Sequence, residues 1–334
     1  MKFIRKILLP IVPVYYAVTS LRNKLYDSGI KKSTSYTLPI ICVGNLSVGG
    51  TGKTPMIEYL INLLKDDYDL ATLSRGYKRK TEGFQLANED ANAETIGDEP
   101  FQFYSKFKND ILVAVDANRN NGIKNLQSND NAPEIILLDD AFQHRKVTAG
   151  FNILLTTYSQ PYFNDLVLPT GNLREPKSGA KRADAIIITK CPDTISDDEK
   201  QEFIKKINPE KHQQVFFSTI KYSEEVFSET GSKNIEELSA FTLVTGIANA
   251  SPLVSFLKQQ GLDFKHLNFK DHYHFTQNDI DELREEPLIV TTEKDFMRLS
   301  PYDSLRERLY YLPIKVVIDN ANAFNSMIAD YLKS

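Results

Sequence analysis

Only two cysteines, Cys42 and Cys191, occur in this 334-residue chain. That excludes a disulfide framework and a zinc site of cysteine-cluster spacing. Each cysteine lies in or beside an apolar, strand-like run, as expected of a buried thiol in a reducing compartment. Basic excess is missing too. The net charge of −4 argues against a nucleic-acid binder working through a basic surface. There is no internal repeat and no low-complexity tract. The one stretch that invites a membrane reading, Ile7 to Leu21, is fifteen uncharged residues interrupted by Pro10 and Pro13. A spanning helix needs roughly 20.

What is present reads as globular. The chain is 41% apolar and 25% charged, and long enough for two domains with their own cores. Lys2, Arg5 and Lys6 stand before the uncharged N-terminal stretch. A secretory signal has this outline, but no small-x-small cleavage pattern follows. The expectation is an interfacial helix, with basic residues toward lipid headgroups and Phe3, Ile4, Leu8 and Leu9 dipping inward. An N-terminal helix packed on the core is the alternative.

Apolar runs then alternate with helical patterns. Strands are expected at Pro39–Val43, Leu70–Leu73, Ile111–Val115, Glu134–Leu138, Asn152–Leu155 and Ala185–Thr189. Runs so continuously apolar, with helices between them, predict a mostly parallel sheet covered on both faces. Ligands bind such sheets beyond the carboxyl ends of the strands. After about Gln213 the pattern changes. Val215–Tyr222 and Leu309–Ile318 read as long strands pairing as a two-stranded connector, with a smaller α/β unit between them. The expected division is an N-terminal helical segment over 1–28, a nucleotide-binding domain over 29–213 rejoined by 320–334, and connector plus smaller domain over 214–319.

The strongest local signal is Gly49-Gly50-Thr51-Gly52-Lys53-Thr54, between the apolar run Ile40–Val43 and a helical stretch from Met56. Strand, glycine turn, lysine, hydroxyl, helix is the order of a phosphate loop. Glycines let backbone N–H groups converge on phosphate oxygens, and the helix adds its positive end. Lys53 reaches the β- and γ-phosphates in this reading, and the Thr54 hydroxyl meets Mg²⁺. Ser47 stands where the usual pattern has glycine. The competing reading is an ordinary glycine turn before a surface helix.

Four apolar residues, Ile135 to Leu138, end in Asp139-Asp140, where a phosphate-loop protein places the acidic partner of Mg²⁺. Asp98 in Gly97-Asp98-Glu99-Pro100 opens a helix and has a capping explanation. Phosphoryl transfer to an alcohol, however, needs a group that accepts the hydroxyl proton. Asp271-His272-Tyr273-His274 offers a second candidate for that work. Arg75, Arg119 and Arg174 all lie near the expected ligand edge, Arg174 in a loop with Asn172 and Glu175. Guanidinium forks suit phosphate oxygens.

Together these strings resemble the tetraacyldisaccharide 4′-kinases of lipid A synthesis. The resemblance rests on Val43 to Pro55, Ser74 to Tyr77, Gly97 to Pro100, Asp139 to Arg145, Leu168 to Pro176, Asp271 to Phe275 and Thr292 to Asp295, and covers nearly the whole chain. In that family Ser47 is no defect. The resemblance implies transfer of the ATP γ-phosphoryl group to the 4′-hydroxyl of an acylated glucosamine disaccharide 1-phosphate. It further implies a peripheral place on the cytoplasmic face of the inner membrane, held by the N-terminal helix; a monomer is expected. It makes Asp98 the catalytic base and His272 its partner, with His274 the alternative. Gly49 to Thr54 would cradle ATP, Thr54, Asp139, Asp140 and Glu175 would surround Mg²⁺, and Arg75, Arg119, Asn172 and Arg174 would line the acceptor site. The rival on the same fold is a regulatory GTPase or metal-insertion ATPase. For it, Thr189-Lys190-Cys191-Pro192-Asp193 has its Asp one residue too late for a guanine-reading loop.

Overall fold

The computed structural model describes residues 7–271 and 273–334. Eight strands come first: β1 Ile40–Asn45, β2 Leu70–Ser74, β3 Gln85–Leu86, β4 Ile111–Val115, β5 Ile135–Asp139, β6 Phe151–Thr157, β7 Ala185–Thr189 and β8 Gln214–Tyr222. A second group follows: β9 Glu225–Phe227, β10 Ser232–Asn234, β11 Phe241–Thr245, β12 Phe264–Asn268, β13 Ile289–Thr292 and β14 Leu309–Leu312, with β15 Ile314–Ile318 last. The larger sheet has nine strands in the order β15-β8-β7-β6-β1-β5-β2-β4-β3, and the smaller has six in the order β10-β9-β14-β13-β11-β12. In the larger sheet only β3 and β15 run antiparallel to their neighbours. The chain is thus α/β, as its alternating pattern predicts.

β1 shows why its neighbours are continuously apolar. Ile41 and Val43 face one core with Ile57, Leu60 and Phe324, while Ile40 and Cys42 face another with Ile123 and Leu126. Helices cover both faces, so both phases of the two-residue period are buried. Cys42 and Cys191 are buried free thiols, pushed up by burial to about 12 and about 11, which leaves them unreactive.

The expected strand Leu309–Ile318 is two strands. Pro313 has no N–H to give a ladder, and there the chain leaves the smaller sheet and joins β8 at the edge of the larger one. β8 and β15 therefore extend the larger sheet and do not form a separate ribbon. The helix Ala321–Lys333 follows β15 and packs Phe324 and Ile328 into the larger sheet's core.

Three charges tie the two sheets' helices together. Lys106, on the helix Asp98–Phe107, lies 2.6 Å from Glu58 Oε2 of the helix Lys53–Leu64 and 2.6 Å from Glu293 Oε1 of the helix Glu293–Leu299. Burial, then the Glu293 charge, push Glu58 up to about 7 against the pull of Lys106. A carboxyl raised on folding favours the native state below its unfolded value, and that favour is lost as pH rises through about 7. Lys106→Met strips the cation from two buried carboxylates and is expected to cost about 3–5 kcal/mol of stability near neutral pH. The deficit should shrink at about pH 5, where Glu58 is protonated in the native state. Urea unfolding at both pH values checks this, and a deficit indifferent to pH would contradict it.

Candidate active site

β1 ends at fully buried Asn45, whose Nδ2 donates to Thr51 Oγ1 at 2.7 Å and fastens the base of the loop. The bend itself needs glycine at two points, since Gly49 has φ 115° and Gly52 has φ 90°, both in the left-handed region. Ser47 needs no such freedom: it forms an antiparallel bridge to Leu173. From the side of β7, Thr189 Oγ1 donates to the Thr51 carbonyl at 2.8 Å and Lys190 Nζ to the Gly50 carbonyl at 2.7 Å. Val48 N–H donates to the Asn172 carbonyl at 2.8 Å. With those carbonyls engaged outward, the loop leads straight into the helix Lys53–Leu64, whose positive end faces the site. The Thr189-Lys190 string thus braces the phosphate loop.

β1 and β5 are paired with Val43 opposite Asp139, so the strand register delivers Asp139 and Asp140 beside the loop. Asp139 is 2% exposed, and its Oδ1 has no hydrogen-bond partner among the described residues. Its carboxyl is pushed up to about 8 by burial, then by Glu99 and Asp140, against the pull of Lys53 and Arg119. A buried, partnerless carboxyl oxygen is costly unless something binds it. Asp140 has φ 49° and accepts from Arg174 Nη1 at 2.9 and 3.0 Å, with Lys53 Nζ 3.7 Å distant.

Several expected site residues have other work. Glu175 is 1% exposed and accepts from Asn23 Nδ2 at 2.6 Å, Arg182 Nη2 at 2.8 Å and Gln143 Nε2 at 3.0 Å. These bonds join the N-terminal helix to the site loops. Arg119 is buried and donates to the Asp116 and Asp139 carbonyls, bracing the ends of β4 and β5. Asn172 binds Asp165 Oδ2 at 3.0 Å and shapes the loop. Among the four expected acceptor-site residues only Arg75, at the end of β2, is exposed. Nearby His144 is pushed down to about 4 by burial and by the surrounding cations Arg119, Lys146, Arg22 and Arg75, so it is neutral at physiological pH.

Asp98 begins the helix Asp98–Phe107, and its carboxylate pairs with the Arg298 guanidinium of the smaller sheet's helix. His272, its expected partner, lies outside the described residues, as do Lys2, Phe3, Ile4, Arg5 and Lys6. His274 is exposed. Thr292 to Asp295 starts the helix Glu293–Leu299, where fully buried Asp295 accepts from Gly246 N–H and Thr292 Oγ1, both at 2.8 Å. The N-terminal helix Val12–Asp27 docks one side on the site: Tyr15 Oη donates to the Arg174 carbonyl at 2.9 Å, and Arg145 Nη1 to the Asn23 carbonyl at 2.9 Å. Sequence reasoning missed Asn23, Lys190 and Arg298. Their partners lie 152, 140 and 200 residues away, and no local pattern announces them.

Comparisons with known proteins converge. A family model described as tetraacyldisaccharide-1-P 4′-kinase matches residues 4–333. Tetraacyldisaccharide 4′-kinase of Flavobacterium johnsoniae is 50% identical, covering 100% of this chain and 98% of that protein. The protein of that name from Bacteroides thetaiotaomicron is 43% identical, over 99% of this chain and 94% of its own. A crystal structure of LpxK from Aquifex aeolicus in complex with ATP superposes with a TM-score of 0.80 at 30% identity, covering 98% of this chain and 99% of that one.

Proposed function

The chain belongs to the tetraacyldisaccharide-1-phosphate 4′-kinase family, phosphotransferases with an alcohol acceptor that use ATP in lipid A synthesis, and we propose that Asp98 is the base of that transfer. Lys53 and the loop N–H groups draw the γ-phosphoryl group, while Asp98 takes the proton of the acceptor's 4′-hydroxyl. A bond forms from the 4′-oxygen to the γ-phosphorus as the bond to the β-phosphate oxygen breaks, and ADP leaves. The proton rests on Asp98, with His272 next in the relay. The transition state of such transfers is loose, so positioning and charge matter more than base strength.

The observation that carries this reading is the buried Asp139 oxygen, without a partner among the described residues, on the strand beside the bent loop, with Lys53 3.7 Å from the adjoining Asp140. The residues fit Mg²⁺, which takes one or two carboxylates, a hydroxyl and substrate phosphates and keeps several waters. Asp139 and Thr54 would hold the ion, with Asp140 in the outer layer through Lys53 and Arg174. When bound, the ion neutralises β- and γ-phosphate oxygens. Asp139→Asn is expected to raise the Mg²⁺ concentration for half-maximal rate by at least about tenfold. An unshifted Mg²⁺ titration would remove Asp139 from this role. Arg75 is the residue we assign to the acceptor's 1-phosphate, on its exposure at the ligand edge.

The acceptor is a lipid, and the N-terminal helix suits its surface. Ile11, at the end of the preceding 3-10 turn, and Val14, Val18 and Leu21 of the helix are 50–62% exposed and repeat at three- and four-residue spacing, one apolar stripe. Leu8, expected to dip inward, is half-buried against the protein. No helix among the described residues is long and apolar enough to cross a membrane. The stripe therefore fits a helix lying in the interface of the cytoplasmic leaflet. Replacing Ile11, Val14, Val18 and Leu21 together by serine should lower co-sedimentation with phosphatidylglycerol vesicles at least about tenfold. Binding equal to the parent protein would defeat the assignment. Deleting the helix is a poorer test, since it also removes Asn23 from Glu175.

A further inference from the structure

We propose that the helix Glu293–Leu299 of the smaller sheet positions the catalytic pair, with Arg298 and Lys294 as its two positioning residues. The inference rests on Asp98 being the base. Lys294 and Arg298 are four residues apart and so share one face of the helix. Arg298 pairs with the Asp98 carboxylate, and Lys294 Nζ lies 3.7 Å from Asp271 Oδ1, the residue directly before His272 in the chain. One helix thus reaches Asp98 and the residue that precedes His272 in the chain.

The grip is rigid because Arg298 is itself held. Its side chain is 8% exposed, and its Nη1 lies 3.2 Å from Asp295 Oδ1. Asp295 is pinned in turn by Gly246 N–H and Thr292 Oγ1. The guanidinium fork therefore spans two carboxylates, one nitrogen on Asp295 and the other on Asp98 Oδ2. At the other end of the same helix, Glu293 holds Lys106, eight residues after Asp98 on the helix that Asp98 begins. Lys106 also holds Glu58, on the helix that starts with Lys53. The placement of Asp98 relative to Lys53 is set through this chain of charges, which neither residue's own loop supplies. A guanidinium lowers the proton affinity of its carboxylate partner. That loss is tolerable where the proton moves late and alignment governs the rate.

The test is steady-state phosphoryl transfer by the full chain carrying Arg298→Gln, Arg298→Lys, Asp98→Asn or the double substitution Asp98→Asn with Arg298→Gln. Arg298→Gln is expected to lower kcat about 10- to 100-fold with KM for ATP within about twofold, and Arg298→Lys to recover most of the loss. In the Asp98→Asn background, Arg298→Gln should cost less than about twofold more, because there is no base left to position. An equal loss in both backgrounds would overturn the proposal, as would full kcat in Arg298→Gln. Full kcat in Asp98→Asn would instead overturn the base assignment, and this inference with it. Lys294→Met serves if Arg298→Gln does not fold: about a tenfold fall in kcat is expected, and an unchanged kcat overturns the proposal.

Discussion

Asp98→Asn should lower kcat by about 10²–10⁴ while KM for ATP stays within about twofold. The substitution preserves shape and removes the negative charge, and with it both the ability to accept a proton and the ion pair with Arg298. Were Asp98 merely complementing the dipole of the helix it begins, the change would cost about 0.3–1 kcal/mol of stability and leave turnover alone. Its carboxylate is instead engaged by Arg298 from a helix of the other sheet, an arrangement helix stability does not require. Rates measured at saturating ATP and acceptor, beside an unfolding curve, separate the two. A normal kcat would remove Asp98 from the chemistry.

Lys53→Met should lower kcat/KM for ATP by about 10³, the scale of losing one preorganised charge on a developing phosphoryl oxygen. The Lys53 side chain is 11% exposed at the mouth of the loop, so methionine replaces the stem and deletes the ammonium. Asp140 remains neutralised by Arg174, at 2.9 Å from its Nη1, and the fold should survive. Circular dichroism and thermal unfolding should match the parent. A loss under about threefold would mean that the loop's lysine does not serve the triphosphate.

Much of this was legible in the chain because it is local. The six expected central strands appear within one or two residues, since burial on both faces forces continuous apolar runs such as Ile40–Val43 and Ile135–Leu138. The phosphate loop was legible because positive φ at Gly49 and Gly52 demands those residue types. The split at Pro313 is signalled by a missing N–H but masked by strand propensity that runs on through both sides. What stayed hidden is what distant segments decide. Glu175 and Arg119 have residue types and positions suited to a site, and the fold alone reveals their hydrogen bonds to Asn23, Arg182 and backbone carbonyls. Arg298 had no local sign of importance at all.

The central claim is that this loop and Asp98 deliver a γ-phosphoryl group to a sugar hydroxyl. The direct measurement is transfer from γ-labelled ATP to a detergent-dispersed, acylated glucosamine disaccharide 1-phosphate, with the product's labelled position determined. The account predicts label on the 4′-oxygen, one ADP released per label, and both lowered together in Lys53→Met and Asp98→Asn. Release of ADP to water with no labelled lipid, or label at any other oxygen, would contradict it.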